Sequence, residues 1–315
     1  MRKARIIKSI GGLYTLVDLE SKKVIEARPS GKLRNVKLTE DSTFLKQKTK
    51  RTKLEKTVMQ ISPKVGDFVF YDETDVNHPM QEILERRNEL ARPDVANVDQ
   101  VLLIFAAKDP NFSFILLDQF LVLIEQANIR PVLIVTKIDL ISTKTLAELK
   151  QSLTYYESIG YDVYYINSKQ KIGFDALTDL FKDKVSVLAG QTGAGKSTFL
   201  NALMPDLHLK TQEISKALGR GKHTTRHSEL FFFGDGLVAD TPGFSKLELS
   251  LLDKSSLKDY FIEFEALSKS CRFGNDCDHI HEPACNVRDN DNVMDSRYEH
   301  YKKFYDEIKN QKERY

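Results

Sequence analysis

Gly190-Gln191-Thr192-Gly193-Ala194-Gly195-Lys196-Ser197-Thr198 sets three glycines, a lysine and three hydroxyls within nine residues. Glycines at 190, 193 and 195 permit backbone conformations that turn successive N–H groups toward one anion. Lys196 can meet β- and γ-phosphates, and the Ser197 hydroxyl can meet Mg²⁺. The apolar run Val185–Ala189 precedes the loop and a helix-compatible stretch, Lys196–Leu203, follows it. A strand before and a helix after is the context such a motif needs, because the helix N-terminus adds its positive dipole end to the same phosphates.

Asp240-Thr241-Pro242-Gly243 follows a second strand-like run. There Asp240 would meet Mg²⁺ through water and the Gly243 N–H would meet the γ-phosphate. Between the two motifs lies Gly219–Arg226, a loop with little to bury, in which Thr224 or Thr225 is the Mg²⁺-sensing hydroxyl of a first switch. Phe244 stands where many nucleotide hydrolases place a water-orienting Gln. An apolar ring cannot orient water, so His223 and His227 are the nearby candidates, with His223 favoured for its place beside the threonine pair.

Thr136-Lys137-Ile138-Asp139 follows the apolar run Pro131–Val135. A carboxylate at Asp139 can accept from guanine N1–H and N2–H₂, whereas adenine would leave it unpaired. Mismatches of that kind can reach ~10⁴-fold. Lys137 would lay its stem along the base. Ser168-Lys169, after Val163–Ile166, fits a second base-contacting loop. The base-reading motif thus precedes the phosphate loop, the reverse of the usual order, so the phosphate motifs close the nucleotide domain instead of opening it.

Cys271, Cys277, His279 and Cys285 offer three thiolates and an imidazole within 15 residues, a donor set matching a tetrahedral structural Zn²⁺. His281 rivals His279. The three cysteines are the only ones in the chain, and their clustering suits a reducing compartment with a shared metal better than a disulfide framework.

The elements that must position these groups fall into three blocks. Short β-like runs at Arg5–Ile10, Leu13–Leu19, Lys23–Arg28 and Asp67–Tyr71, punctuated by Gly and Pro, suggest a small barrel over 1–72. The lysine-rich stretch Thr39–Thr57 reads as a mobile basic loop within it, and 73–94 as a linker. From about residue 95 to 245, apolar runs at Val101–Ala107, Val132–Val135, Val163–Ile166 and Val185–Ala189 alternate with amphipathic stretches at Ser113–Ala127, Ser142–Ser158 and Phe174–Phe181. That rhythm implies a parallel sheet covered on both faces, with Ser228–Phe233 and Leu237–Ala239 as an antiparallel hairpin at its edge. Residues 246–315 read as a helical metal module ending in the charged helix Asp295–Glu313.

The chain has 315 residues, 41% hydrophobic and 29% charged, which suits an ordinary globular protein. Its net charge of +2 conceals a basic N-terminal block. Residues 1–71 carry 17 Lys+Arg against 7 Asp+Glu, or +10, leaving −8 for the rest. Such a domain favours a polyanion, nucleic acid ahead of membrane. No apolar run is long enough to span a bilayer and no signal-peptide core follows Met1-Arg2-Lys3, so a cytoplasmic location is expected.

These residues together resemble the ribosome small-subunit-dependent GTPase A (RsgA) family of circularly permuted GTPases. The likeness includes Ala27–Asn35, Pro63–Val69, Arg86–Gln100, the permuted motif order, Gly219–Thr225 and the Cys/His segment. It implies an N-terminal OB-fold β-barrel, a central permuted P-loop GTPase domain and a C-terminal helical zinc domain. It also implies GTP hydrolysis with Mg²⁺, stimulation by the 30S subunit, contact with 16S rRNA and action late in 30S maturation; the sequence is silent on oligomeric state, and a monomer is the natural expectation. Thr136 in place of the usual Asn, five residues (Arg272–Asp276) between the first two cysteines instead of four, and a long basic stretch depart from the family pattern. An alternative is an RNA-binding protein with zinc and OB modules that only senses guanine nucleotide. An ATP-dependent small-molecule kinase is disfavoured by Asp139 and by the absence of a recognisable acceptor site.

Overall fold

The structure, a computed structural model, describes residues 1–31, 33, 36–37, 58–59, 62–90, 93–205, 228–239, 249 and 252–312. The basic stretch Thr39–Thr57 lies outside them. The chain divides into two units: Met1–Gln100 with Asp179–Val187 and Asp206–Gly243, and Val101–Thr178 with Leu188–Pro205 and Phe244–Tyr315.

In the first unit the strand Arg2–Ile10 pairs antiparallel with Leu13–Asp18 and with Phe68–Tyr71, which extend to Val24–Ala27 and Met80–Ile83 respectively. Ile10 faces Leu13 across Gly11-Gly12, both at positive φ. Two left-handed residues make the tight hairpin whose twist matches its strands, and glycine adopts them without strain. Alternation places Ala4, Ile6, Leu16 and Val69 inside, and Asp18 at the end of its strand is buried with them.

Two expectations change here. The hairpin Ser228–Phe233 and Gly236–Ala239 forms as anticipated but does not end its sheet. Its first strand continues onto Arg2–Ile10 at Lys8↔Glu229, where the two side chains meet at 2.9 Å, while its second strand runs parallel to Val185–Gly190. The stretch 73–94, expected as a linker, carries the strands Met80–Ile83 and Glu89–Leu90. Within it Arg86 is buried and grips buried Asp67 with two hydrogen bonds of 2.7 Å. A charge taken from water needs such a two-pronged partner, and the partner pins the segment.

In the second unit the strands Asp162–Tyr165, Arg130–Thr136, Gln100–Ala106 and the end of Val185–Gly190 lie side by side, the first two parallel. Gln100–Ala106 and Val185–Gly190 are buried at every position, as strands covered on both faces must be. Helices α1 (Phe114–Gln126), α2 (Thr143–Ser158) and α3 (Lys196–Leu203) follow their strands. Ser113 and Ser142 cap α1 and α2 by accepting the N–H of Leu116 and Thr145, groups that otherwise lack an intrahelical partner. Phe174–Phe181, read as a further helix of this kind, is a 3₁₀ segment at Asp175–Phe181. Its buried Leu177 and Leu180 stand three apart, which aligns on a three-residue turn.

The C-terminal part of this unit holds the short helix α4 (Phe264–Ser268) and the long helix α5 (Asp295–Lys312). Phe261, Phe264, Tyr301 and Phe304 form its core together with all three cysteines, and Val122 of α1 joins the same cluster. No helix among the described residues is long and apolar enough to cross a membrane.

Candidate functional site

Two loops far apart in sequence are tied directly to each other in the second unit. The Thr136 hydroxyl, at the end of a buried strand, donates to Ala194 O at 2.5 Å and also reaches Phe105 O at 3.3 Å. Lys137, in a left-handed conformation at φ 55°, donates through Nζ to Gly193 O at 2.9 Å and to Asp109 O. Only a sharp local turn places the lysine stem over the glycine loop while leaving Asp139 exposed at the cavity.

The glycine loop has its own requirement. Gly190 sits at φ 119°, and a Cβ there would lie 2.2 Å from Ile104 O. The backbone passes so close to the neighbouring strand that no side chain fits. Gln191 N–H donates to that same carbonyl at 3.2 Å. Lys196 Nζ donates to Gly190 O and Gln191 O, each at 2.8 Å, so the ammonium is held inside the loop's own curve. Burial pushes its pKa below the usual lysine value. Gly195, at φ 90°, starts α3, whose first N–H groups therefore open toward the loop.

A cavity lies where these parts converge. Thr136, Lys137, Asp139 and Leu140 line it from one loop, Asn167, Ser168 and Lys169 from a second, and Ala194, Gly195 and Thr198 from a third. Eight residues singled out from the sequence for nucleotide contact (Thr136, Lys137, Asp139, Ser168, Lys169, Ala194, Gly195 and Thr198) line this one cavity. Gly190, Gln191, Thr192, Gly193, Lys196 and Ser197 complete the adjoining loop, and Ile138 opens the 3₁₀ turn Ile138–Leu140. His223, Thr224, Thr225, His227, Asp240, Gly243 and Phe244 lie outside the described residues.

Sequence reasoning missed three contributors. Asn167 shapes its loop by accepting from the N–H groups of Lys169 (3.0 Å) and Gln170 (3.2 Å), an Asx turn that an Asn at a strand's end could have signalled. Leu140 adds apolar wall. The segment Lys108–Phe112 supplies carbonyls at Asp109 and Asn111 that accept from Lys137 Nζ and, at 2.9 Å, Gln191 Nε2. Its Pro110-Asn111 turn after a buried strand was the available cue.

The second centre is compact. The ligand atoms of Cys271, Cys277, His279 and Cys285 all lie within 4.8 Å of one another, and all four residues are buried. Cys271 Sγ and Cys285 Sγ stand 3.7 and 3.4 Å from His279 Nδ1, and Cys277 Sγ stands 3.8 Å from Cys285 Sγ. Bonds of about 2.3 Å to sulfur and 2.0 Å to nitrogen at tetrahedral angles require separations of about 3.8 Å (S to S) and 3.5 Å (S to N). The four side chains therefore fit one tetrahedral metal ion. His279 takes the place that the sequence left open between it and His281, whose side chain is exposed. The other ring nitrogen, Nε2, lies 3.0 Å from Ser268 Oγ, which fixes the ring's orientation. Burial pushes the Cys277 thiol up to about 12 and holds the His279 imidazole down at about 4. In a metal-free pocket both groups are thus neutral, and a divalent cation supplies the charge that a thiolate set needs.

Comparison with known proteins agrees with this geometry. Residues 83–250 match the family model described as RsgA GTPase. A protein of Onion yellows phytoplasma (strain OY-M), named Small ribosomal subunit biogenesis GTPase RsgA, is 45% identical, with 99% of each chain covered. The like-named protein of Bacillus velezensis (strain DSM 23117 / BGSC 10A6 / LMG 26770 / FZB42) is 43% identical over the whole of both chains. The crystal structure of YloQ, described as a circularly permuted GTPase, superposes with a TM-score of 0.79 at 37% identity, covering 99% of this chain and 96% of the other. YjeQ from Thermotoga maritima superposes at 0.77 with 31% identity, covering 98% of each.

Proposed function

The chain belongs to the RsgA GTPase family and is a circularly permuted GTPase, and from that premise we propose that it acts as a late maturation factor of the small (30S) ribosomal subunit, binding 16S rRNA and leaving when GTP is hydrolysed. The observation that carries this reading is the convergence of the Asp139 loop and the Lys196 loop on one cavity. A purine nucleotide has its base and phosphates at opposite ends; Asp139 lines this cavity from one loop, and Ala194, Gly195 and Thr198 line it from the loop that carries Lys196.

Each residue has a task in this reading. Asp139 accepts from guanine, Lys137 lies along the base, and Ser168 borders its far edge. Gly190 to Thr198 wrap the phosphates, with Lys196 stabilising charge on the γ-phosphoryl as it leaves. Ser197, Asp240 and Thr224 or Thr225 would hold Mg²⁺, which would supply positive charge against the phosphates. The Gly243 N–H senses the γ-phosphate and His223 orients the attacking water. The Cys/His cluster holds one structural Zn²⁺, since three thiolates and one imidazole leave no open position for chemistry.

Three domains carry these parts: an OB-fold over 1–72, the permuted GTPase domain over 95–245 and the zinc module over 246–315. The basic N-terminal block faces rRNA, where Lys3 and Arg5 already lie over the Phe68 ring at 5.0 and 4.3 Å. A monomer acting in the cytoplasm completes the reading.

GTP hydrolysis by wild type, Lys196→Ala and His223→Ala, each with and without 30S subunits, tests it. Stimulation by the subunit in wild type, abolished in Lys196→Ala and strongly reduced in His223→Ala, is expected. Turnover indifferent to the subunit would overturn the ribosomal role.

A further inference from the structure

Arg297 of α5 is fully buried, and a buried guanidinium needs a reason. Its Nη1 meets Asp118 Oδ1, and its Nε and Nη2 meet Glu263 at 2.5 and 3.2 Å. Asp118 is also fully buried and lies in the second turn of α1. It accepts from Tyr156 OH at 2.9 Å and stands 2.6 Å from His300 Nδ1. The guanidinium lies over the rings of Phe261 at 4.8 Å and Tyr156 at 5.3 Å. Apolar side chains of equal volume often hold a fold as well as such a set does, so stability alone does not account for it. What an ionic cluster adds is direction, because its attraction falls away once the prongs lose register.

The place it grips is informative. Asp118 is five residues beyond the Ser113 cap, about 7.5 Å along the helix axis. The segment leading into that cap is Lys108–Phe112, whose carbonyls accept from Lys137 of the base-facing loop and from Gln191 of the phosphate-facing loop. At the other end, α5 touches residues of the Cys/His segment. Tyr298 OH donates to His279 O at 2.6 Å, and Tyr305 OH donates to Asp278 Oδ2 at 2.8 Å. Hydrogen bonds and ion pairs, joined by the covalent backbone of residues 109–118 and of α5, therefore link both nucleotide loops to the residues beside the metal ligands.

We propose that Arg297 is a positioning residue for the nucleotide cavity: by holding Asp118 it seats the first turns of α1 and the 108–112 segment, so that nucleotide binding and retention of the metal are coupled. The coupling rests on the guanine-nucleotide reading of the cavity. It requires no motion of the switch segments, since it passes through the back of the site. By linkage the effect is reciprocal, and couplings of this type amount to about 5- to 150-fold.

The test uses the full metal-loaded chain as wild type, as Arg297→Lys and as the apolar double variant Asp118→Leu/Arg297→Met. The double variant covers the case in which the single one does not fold. A fluorescent GDP titration gives affinity, and transfer of the metal to a chromogenic chelator gives its release rate with and without saturating GDP. In wild type, GDP should slow metal release at least about 5-fold. Both variants should bind GDP about 5-fold or more weakly and, once saturated, should lose most of that protection. A merely structural role would lower stability without erasing the effect of saturating GDP. Equal protection in wild type and variants, or none in a wild type that binds GDP, overturns the coupling. A wild type that binds no GDP overturns the reading of the cavity itself.

Discussion

The four side chains that could hold a metal come from Cys271 to Cys285, whereas the cavity proposed for the nucleotide is closed by loops drawn from residues 136–140, 167–169 and 194–198. The first centre is local, and its specificity lies in side-chain chemistry that only cysteine and histidine possess. The second is distributed, and its loops are tied together largely through main-chain carbonyls: Ala194 O, Gly193 O, Asp109 O and Asn111 O. A local centre should therefore fail all at once when one ligand changes. A distributed one should degrade in steps, each set by the tether removed.

Cys277→Ser gives the largest expected effect. Structural metal sites contribute on the order of 10 kcal/mol to the folding of their modules. The variant should lose bound metal and most of the α5 helicity, read by elemental analysis and circular dichroism. Intact helicity without metal would show that the aromatic core around Phe261 and Tyr301 suffices alone. The same centre should respond to pH with a defined sign. Burial raises the Cys277 thiol, so the metal must displace its proton, and acidification favours release. Metal content should fall as pH is lowered, while His279, held down at about 4, stays neutral and does not initiate the loss.

Within the distributed site, Lys196→Ala should cut GTP turnover about 10²- to 10³-fold, because on the proposed function it removes the charge that meets the leaving phosphoryl. Single-turnover hydrolysis measures this, and a drop under tenfold would move the principal electrostatic role elsewhere. Gly190→Ala comes next. Its Cβ would collide with Ile104 O at 2.2 Å, so strand or loop must shift, at about 1–3 kcal/mol. Weakened GDP binding by titration is the check. Thr136→Val is the mildest: it keeps shape but leaves Ala194 O without its 2.5 Å donor, for about 1 kcal/mol. Thr136→Ser should retain most of the affinity, and a Val variant indistinguishable from wild type would show that this tether is redundant.

The same contrast explains what could be read before the fold was known. Strands and helices were legible because their apolar spacing is local: Lys196–Leu203 and Ser228–Phe233 stand where expected, and most others within one or two residues. The cysteine cluster was legible for the same reason, although choosing His279 over His281 required knowing which side chain turns inward. Thr136 read only as a departure from the usual Asn, yet its one hydroxyl reaches two carbonyls, a geometry no spacing encodes. The Pro110-Asn111 turn marked the 108–112 segment, but its role was not legible because it acts through backbone carbonyls, which every residue type shares. Asp118 and Arg297 were invisible because a helix-face aspartate and a helix-face arginine usually point to water, and only the packing of α1 on α5 removes them from it. The strands within 73–94 were missed because each is too short to declare a period.

The fully buried guanidinium of Arg297 also imposes a schedule on synthesis. A ribosome finishes the glycine loop at Thr198 roughly a hundred residues before it reaches codon 297, an interval of about 5–20 s at bacterial elongation rates. Until then the nascent polypeptide holds Asp118 in α1 without its counter-charge. On the coupling proposed above, an emerging chain acquires full grip on guanine nucleotide only after α5 has left the exit tunnel. Stalled nascent chains that expose residue 290 but not residue 300 should bind GDP less tightly than those released further.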